Sequence, residues 1–138
     1  MVRIFLKQLS LALLVVLVFL PFLAGSARAI SIERVKSSVG VEAWLVRDHT
    51  NPIISMHFAF RGGSALDPHH LSGLANMAAS LIDEGAGDIN SKVFQGTLDD
   101  LVISILFKAH LDSFGGRLVT LVENHETAFK LLKLALTN

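Results

Sequence analysis

Apolar and polar residues alternate in the first half of the chain with the period of two that is typical of β-strands. In IISMHFAFRGG (53–63), one face is apolar and the other is mixed: Ile54, Met56, Phe58 and Phe60 against Ser55, His57, Ala59 and Arg61. This pattern predicts a half-buried strand that ends at Gly62 and Gly63. Two shorter strands are predicted before it, in SIERVKSS (31–38) and in VEAWLVRD (41–48), and the second should be covered on both faces.

The pattern then changes to helical spacing, which predicts two helices in the middle of the chain. The first begins near Leu71 and stops at GAG (85–87). One side of it is apolar and should face inward, and the other is largely polar: Leu74, Met77, Ala78 and Leu81 against Asn76, Ala79, Ser80 and Asp83. The second helix covers SKVFQGTLDDLV (91–102), with Ser91 as its N-cap.

Two strands and a third helix complete the pattern. ISILFKAH (103–110) and SFGGRLVTLV (113–122) are the strands, and glycines at 115 and 116 indicate a bulge or a kink in the second. The helix runs from Glu123 to Leu136, with these residues inward: Ala128, Leu131, Leu132, Ala135 and Leu136. The order β-β-β-α-α-β-β-α predicts an α+β fold, an antiparallel-rich sheet with helices packed on one face.

Residues 1–29 have the three parts of a secretory signal peptide. Basic Arg3 and Lys7 come first, an apolar run fills residues 11–24, and small residues surround Arg28 at the end. The alternative is a membrane anchor, but the run is shorter than the roughly 20 apolar residues that span a bilayer, and Pro21 interrupts it. We expect cleavage after Ala29, export, and membrane contact only through the signal peptide.

Composition excludes several classes of function. Without residues 1–29 the chain has nine basic and 12 acidic residues, a net charge of −3, which gives no electrostatic basis for binding nucleic acid. The chain has no cysteine, so a thiolate zinc site and a cysteine nucleophile are both excluded, and any metal would need His, Asp or Glu. No G-x-S-x-G elbow and no phosphate loop occur.

A few polar groups could still form a site. Asn76, Ser80 and Asp83 share a helix face that could bind a peptide or a cation, although a solvated or partner-facing side is the simpler interpretation. His69 and His70 lie near Asp67, but adjacent side chains point apart, so we expect a loop without a ligand role. His57 could contact a substrate or a partner, or be merely solvated.

The segment VEAWLVRDHTNPIISMHFAFRGGSALDPHHLSGLANMAASLIDEGAGD (41–88) resembles the N-terminal part of the pitrilysin/insulinase family of zinc metallopeptidases. In that family a strand and a Pro-containing turn lead to a second strand that ends before Gly-Ser, and Gly-Leu-Ala then opens a helix. Here FRGGS (60–64) and GLA (73–75) occur in that order and at that spacing. The resemblance continues through residues 91–137, so it covers nearly all of the chain after the signal peptide.

The family's helix carries H-x-x-E-H, the inverted zinc motif. The resemblance places Asn76 at the first ligand His, Ala79 at the general-base Glu and Ser80 at the second ligand His. Imidazoles four residues apart can face one zinc ion, whereas an amide and a hydroxyl are not usual zinc ligands and Ala79 cannot accept a proton. The family's third ligand, a Glu, would fall beyond Asn138. We therefore expect no catalytic residue, no metal ligand and no cofactor in this chain; its substrate-binding residues stay unassigned.

The resemblance also implies a role. Bacterial members often work as pairs, in which a related inactive subunit closes the chamber of the active one and contributes substrate contacts. LIDEGAGDINS (81–91) is similar to the inactive subtype. We expect a non-catalytic subunit or fragment, in the periplasm of a Gram-negative bacterium, that supports peptide binding or assembly with an active partner containing zinc. In this family substrates are held partly as an added β-strand on a sheet edge.

Two alternatives remain open: an independent periplasmic interaction module, and a truncated remnant without function. The chain stops in or just after an apolar helix, and family subunits are much longer. Residues 30–138 are therefore expected to be a partial N-terminal domain, which would expose an open sheet edge and an apolar helix face.

Overall fold

The computed structural model describes residues 30–137, which form two compact units that divide between Asp48 and His49. The predicted signal peptide and its cleavage site after Ala29 precede the described residues, so they stay a prediction. Among residues 30–137, no helix is both long enough and apolar enough to span a membrane.

The first unit contains an antiparallel hairpin of β1 (Ile32–Lys36) and β2 (Glu42–Val46), which confirms the first two predicted strands. The expected cover on both faces of the second strand is wrong, because every residue of β2 is exposed and Trp44 is 68% exposed. Surface contacts are found there instead: the Arg34 guanidinium lies 5.7 Å from the centre of the Trp44 ring. Strand alternation thus identified the hairpin but not its burial.

The second unit, residues 49–137, is the α+β fold that the sequence predicts. Its three-stranded sheet has the order β3-β7-β6, and both pairings are antiparallel. The elements are β3 (Ile53–Arg61), α1 (Leu74–Leu81), β4 (Gly85–Ala86), β5 (Ile89–Asn90), α2 (Ser91–Asp100), β6 (Ser104–Ala109), β7 (Ser113–Leu121) and α3 (His125–Thr137).

The core lies between one face of this sheet and the two helices α2 and α3. Phe94 of α2, Leu118 of β7 and Ala128 of α3 are each 0% exposed, and burying one Leu or Phe side chain contributes about 1.5–3 kcal/mol. The inward residues predicted for α3 are confirmed, since four are buried and Leu136 packs against the core. Because both helices cover the same face, the opposite face of the sheet is open to solvent.

The segment between α1 and α2 differs from the prediction in two details. Gly85 to Gly87 do not end the first helix, which already stops at Leu81; they belong to a small antiparallel ribbon formed by β4 and β5. The N-cap of α2 is Asn90, not Ser91: the Asn90 side chain accepts a hydrogen bond of 3.0 Å from the Val93 N–H. Ser91 instead donates to the Glu84 carboxylate at 2.7 Å.

Two glycines let the central strand β7 approach both of its neighbours closely. A Cβ on Gly115 would collide with the Phe58 carbonyl oxygen of β3, and one on Gly116 with the Leu106 carbonyl oxygen of β6. Of the two predicted irregularities, a bulge or a kink, the bulge is absent, because β7 pairs residue for residue with both strands. The space above Gly116 is filled by Phe58, whose ring meets that of Phe107 edge-on at 6.1 Å.

The substitution Gly115→Ala should lower the free energy of unfolding by about 1–3 kcal/mol, since the added methyl group must push β3 away from β7. Gly96→Ala is the matched control: Gly96 lies in α2, and nothing lies within 4 Å of the added Cβ. This control should raise the free energy of unfolding by about 0.5–1 kcal/mol, because alanine is the better helix former. Urea denaturation measures both free energies of unfolding. If both variants changed this free energy in the same direction, the close approach of β7 to β3 at Gly115 would be contradicted.

Candidate functional site

The helix that would carry the zinc motif is α1, and it packs beside β6. Ala79, the residue at the general-base position, is 6% exposed and belongs to the hydrophobic core. Asn76 and Ser80 are exposed, and the Ser80 hydroxyl donates to the Asn76 backbone carbonyl at 3.0 Å. None of these three side chains supplies the imidazole or carboxylate that zinc requires, so the residues do not fit a zinc site.

The predicted orientation of α1 is wrong. Ala79 was expected on the polar side, yet it is the buried residue of the helix, whereas Leu74, Met77 and Leu81 are 45%, 63% and 52% exposed. The half-buried Ala75 and the buried Ala79 are on the packed side of α1, where small side chains allow the helix to lie close to β6. The larger apolar residues consequently form an exposed apolar face on α1, together with Leu71 just before the helix.

The loop before α1 connects the helix to the hairpin of β6 and β7. Gly62 donates to the Asp112 carbonyl at 2.9 Å, and Ser64 donates to the His110 carbonyl at 2.9 Å. Gly63 lies between them, so close to the hairpin that a Cβ would collide with the His110 carbonyl oxygen. The GGS sequence therefore sets where the chain leaves β3, and with it the position of α1 beside β6.

Asp67 caps α1. Its two carboxylate oxygens accept hydrogen bonds from the backbone N–H groups of Gly73 at 2.9 Å and Ala75 at 3.0 Å. Nearby His69 and His70 are exposed on a short 3-10 turn. Within residues 30–137, no group of three or more His, Asp or Glu side chains is arranged to hold a metal ion. The Asp67 carboxylate, which is the acidic group nearest to His69 and His70 in the sequence, therefore has a structural role as a helix cap.

A groove of about 650 Å³ crosses the open face of the sheet. Gly115 and Gly116 of β7 contribute its floor, and the following residues from the three strands and the hairpin turn line the rest: His57, Phe58, Ala59, Leu106, Lys108, His110, Ser113 and Arg117. The strand register brings His57, Arg117 and Leu106 side by side across the sheet. Alternation in β3 had placed His57 on this face, but the basic residues of β6 and β7 were not singled out from the sequence.

The second feature of the site is the outer edge of β6, which has no paired strand within the described part of the chain. His110 donates to the Ser113 carbonyl at 2.7 Å, so these residues form a hydrogen-bonded pair. Hydrogen-bonded pairs alternate along an antiparallel ladder. The backbone N–H and C=O groups of Ile105, Phe107 and Ala109 therefore point away from β7, toward this edge.

No family model matches the chain, and no curated protein matches it in sequence. Among solved structures, the chain is similar to the crystal structure of a peptidase M16 inactive domain from Pseudomonas fluorescens, with a TM-score of 0.69 and 18% sequence identity. The match covers 77% of this chain and 26% of that chain, so this chain spans about a quarter of the length of that protein. The fold is peptidase M16-like. The M16-like fold confirms the fold expected from the pitrilysin/insulinase resemblance; the inactive subtype and the truncation remain predictions.

The Asp67→Ala substitution tests the cap that begins the motif helix of the M16-like fold. It removes the hydrogen bonds to Gly73, which precedes the helix, and to Ala75 in its first turn, and it should lower the free energy of unfolding by about 1–2 kcal/mol. His70→Ala, an exposed neighbour, should change it by less than about 0.5 kcal/mol. Urea denaturation, with and without zinc, measures the free energy of unfolding of the parent and of both variants. If zinc stabilised the parent protein but neither variant, Asp67 and His70 would be metal ligands instead.

Proposed function

We propose that this chain is a non-catalytic peptidase M16-like subunit or fragment, which binds an extended peptide along the outer edge of β6 and supports an active zinc-peptidase partner. The observation that carries the proposal is a combination of two features: a helix whose motif positions hold no usual zinc ligand, and a strand edge beside it that has no partner strand within residues 30–137. Edge binding uses backbone hydrogen bonds, so it does not depend on the side chains that zinc chemistry needs. Loss of the motif therefore leaves this kind of binding intact.

Three amide groups would make the contact. Ile105, Phe107 and Ala109 present N–H and C=O groups to the edge at every second position, the spacing that an added antiparallel or parallel strand requires. Their side chains point into the core or are half-buried, so the strand is held in place from the other side. A peptide would meet a pre-formed edge, and little ordering of β6 would oppose binding.

Assembly with a partner is supported by the exposed apolar face on α1. Leu71, Leu74, Met77 and Leu81 are each between 45% and 63% exposed, and they follow one another along one segment. Contiguous apolar surface of this kind is typical of sites that another protein surface covers. The active partner, its zinc ion and the periplasmic setting belong to this proposal, as do the cleavage of residues 1–29 and the partial N-terminal domain in residues 30–138.

Ala109→Pro tests the edge directly. Proline removes the outward N–H of residue 109 while the hydrogen bonds between β6 and β7 stay in place, because the N–H groups of Lys108 and His110 make those bonds. Ala109→Val is the matched control, since it keeps the N–H and adds bulk. We expect the proline variant to weaken the binding of a fluorescein-labelled extended peptide about tenfold, and the valine variant to bind as the parent does. Equal affinity for all three proteins would rule out edge binding.

The partner prediction concerns the protein in its native cell envelope. We expect it to be recovered without residues 1–29, by intact mass, and to co-elute with a peptidase that has the H-x-x-E-H motif. The partner should lose peptide turnover when the chain is absent. A mature chain that elutes alone and leaves turnover unchanged would instead support an independent interaction module, and aggregation without cooperative unfolding would indicate a remnant.

A further inference from the structure

The open face of the sheet carries positive charge that no acidic residue of the strands offsets. Lys108 and Arg117 line the groove with His57 and His110, and Arg61 follows on the same face of β3. The positions that alternation places on this face contain no Asp or Glu in β3, β6 or β7. The neighbouring acidic residue is Asp112, in the turn between β6 and β7.

Two of these basic side chains form no ion pair within residues 30–137. Two ion pairs lie at the hairpin of β1 and β2, where Arg34 pairs with Glu42 and Arg47 with Glu33. Lys108 and Arg117 are exposed and have no such partner in the described residues. Residues 30–138 as a whole carry a net charge of −3. The charge of the open face is therefore opposite in sign to that of the chain as a whole.

The groove is continuous with the edge that the proposed function uses. The side chains of Leu106 and Lys108 belong to β6 and point to the open face, and Leu106 is 50% exposed. A peptide strand paired with β6 would place every second side chain on that same face, about 5 Å from the β6 residue opposite it. Arg117 lies one strand further in, about 10 Å from an added strand, so it adds positive charge to the groove without being a direct cross-strand neighbour of the peptide.

We propose that the groove selects acidic side chains in the bound peptide, so that the preferred ligand is an extended segment with Glu or Asp at alternate positions. This inference rests on the proposed edge binding at β6 and names its substrate class. Opposite charges on directly opposed residues stabilise neighbouring strands, whereas like charges destabilise them. A glutamate opposite Lys108 gains that pairing, and the Arg117 charge on the same face adds to the attraction, whereas a lysine there would be repelled by Lys108. Gly115, which lies opposite Lys108 on the open face, leaves room for the longer side chain because it adds none of its own.

The test compares two labelled peptides that differ only in charge, one with Glu at every second position and one with Gln in the same places. Binding to the full chain is measured by fluorescence anisotropy at low and high salt. We expect the Glu peptide to bind about tenfold more tightly at low salt, and high salt to remove most of the difference. The double variant Lys108→Glu and Arg117→Glu should abolish this preference, whereas Lys133→Glu, an exposed lysine on α3, should keep it.

The outcomes separate this inference from the function on which it rests. Equal binding of both peptides, still sensitive to Ala109→Pro, would leave edge binding intact and overturn the selection of acidic residues. Binding of neither peptide would overturn both. If the Glu peptide bound the Ala109→Pro variant as tightly as the parent and heparin displaced it, the groove would be a general anion-binding surface. Self-association of the chain that the double charge variant removes would show a second copy as the occupant of the groove. Either of the last two results would overturn the proposal.

Discussion

The close approach of the backbone at Gly115 and Gly116 is the constraint on which the second unit depends. Strand β7 lies between β3 and β6, and at these two positions a single methyl group would collide with a neighbouring carbonyl oxygen. The same glycines leave one face for the Phe58 and Phe107 rings and the other for an open groove. One pair of residues therefore supports the aromatic packing on one side and shapes the candidate site on the other.

The position of α1 depends on a second close contact, between the segment after β3 and the turn that joins β6 to β7. The GGS segment after β3 is hydrogen-bonded to the turn between β6 and β7, and Asp67 then caps the helix. This geometry places α1 beside β6. Here the motif positions hold a core alanine and two neutral groups, Asn76 and Ser80. The edge and the helix therefore lie side by side in this chain, and on that arrangement we base the proposal of peptide binding without cleavage.

Most of the fold could be predicted from the sequence, because the strands and helices of residues 49–137 have clear periods of two and of 3.6. The face of α1 could not. Leu74, Met77 and Leu81 suggested an inward stripe, but a helix that is apolar on several sides does not reveal which side packs. What the sequence does not show is that α1 packs against β6, where the small Ala79 is the buried residue. The groove was missed for a related reason: Lys108 and Arg117 are ordinary exposed residues of their own strands, and only the register places them beside His57.

Amide hydrogen exchange, resolved by residue, tests the central claim most directly. Addition of an extended acidic peptide should slow exchange at the N–H groups of Ile105, Phe107 and Ala109, which point to the outer edge of β6. Exchange at Lys108, whose N–H faces β7, should change much less. Protection confined to α1, or no protection along β6 at a saturating peptide concentration, would contradict the proposal that this M16-like chain holds peptides as an added strand.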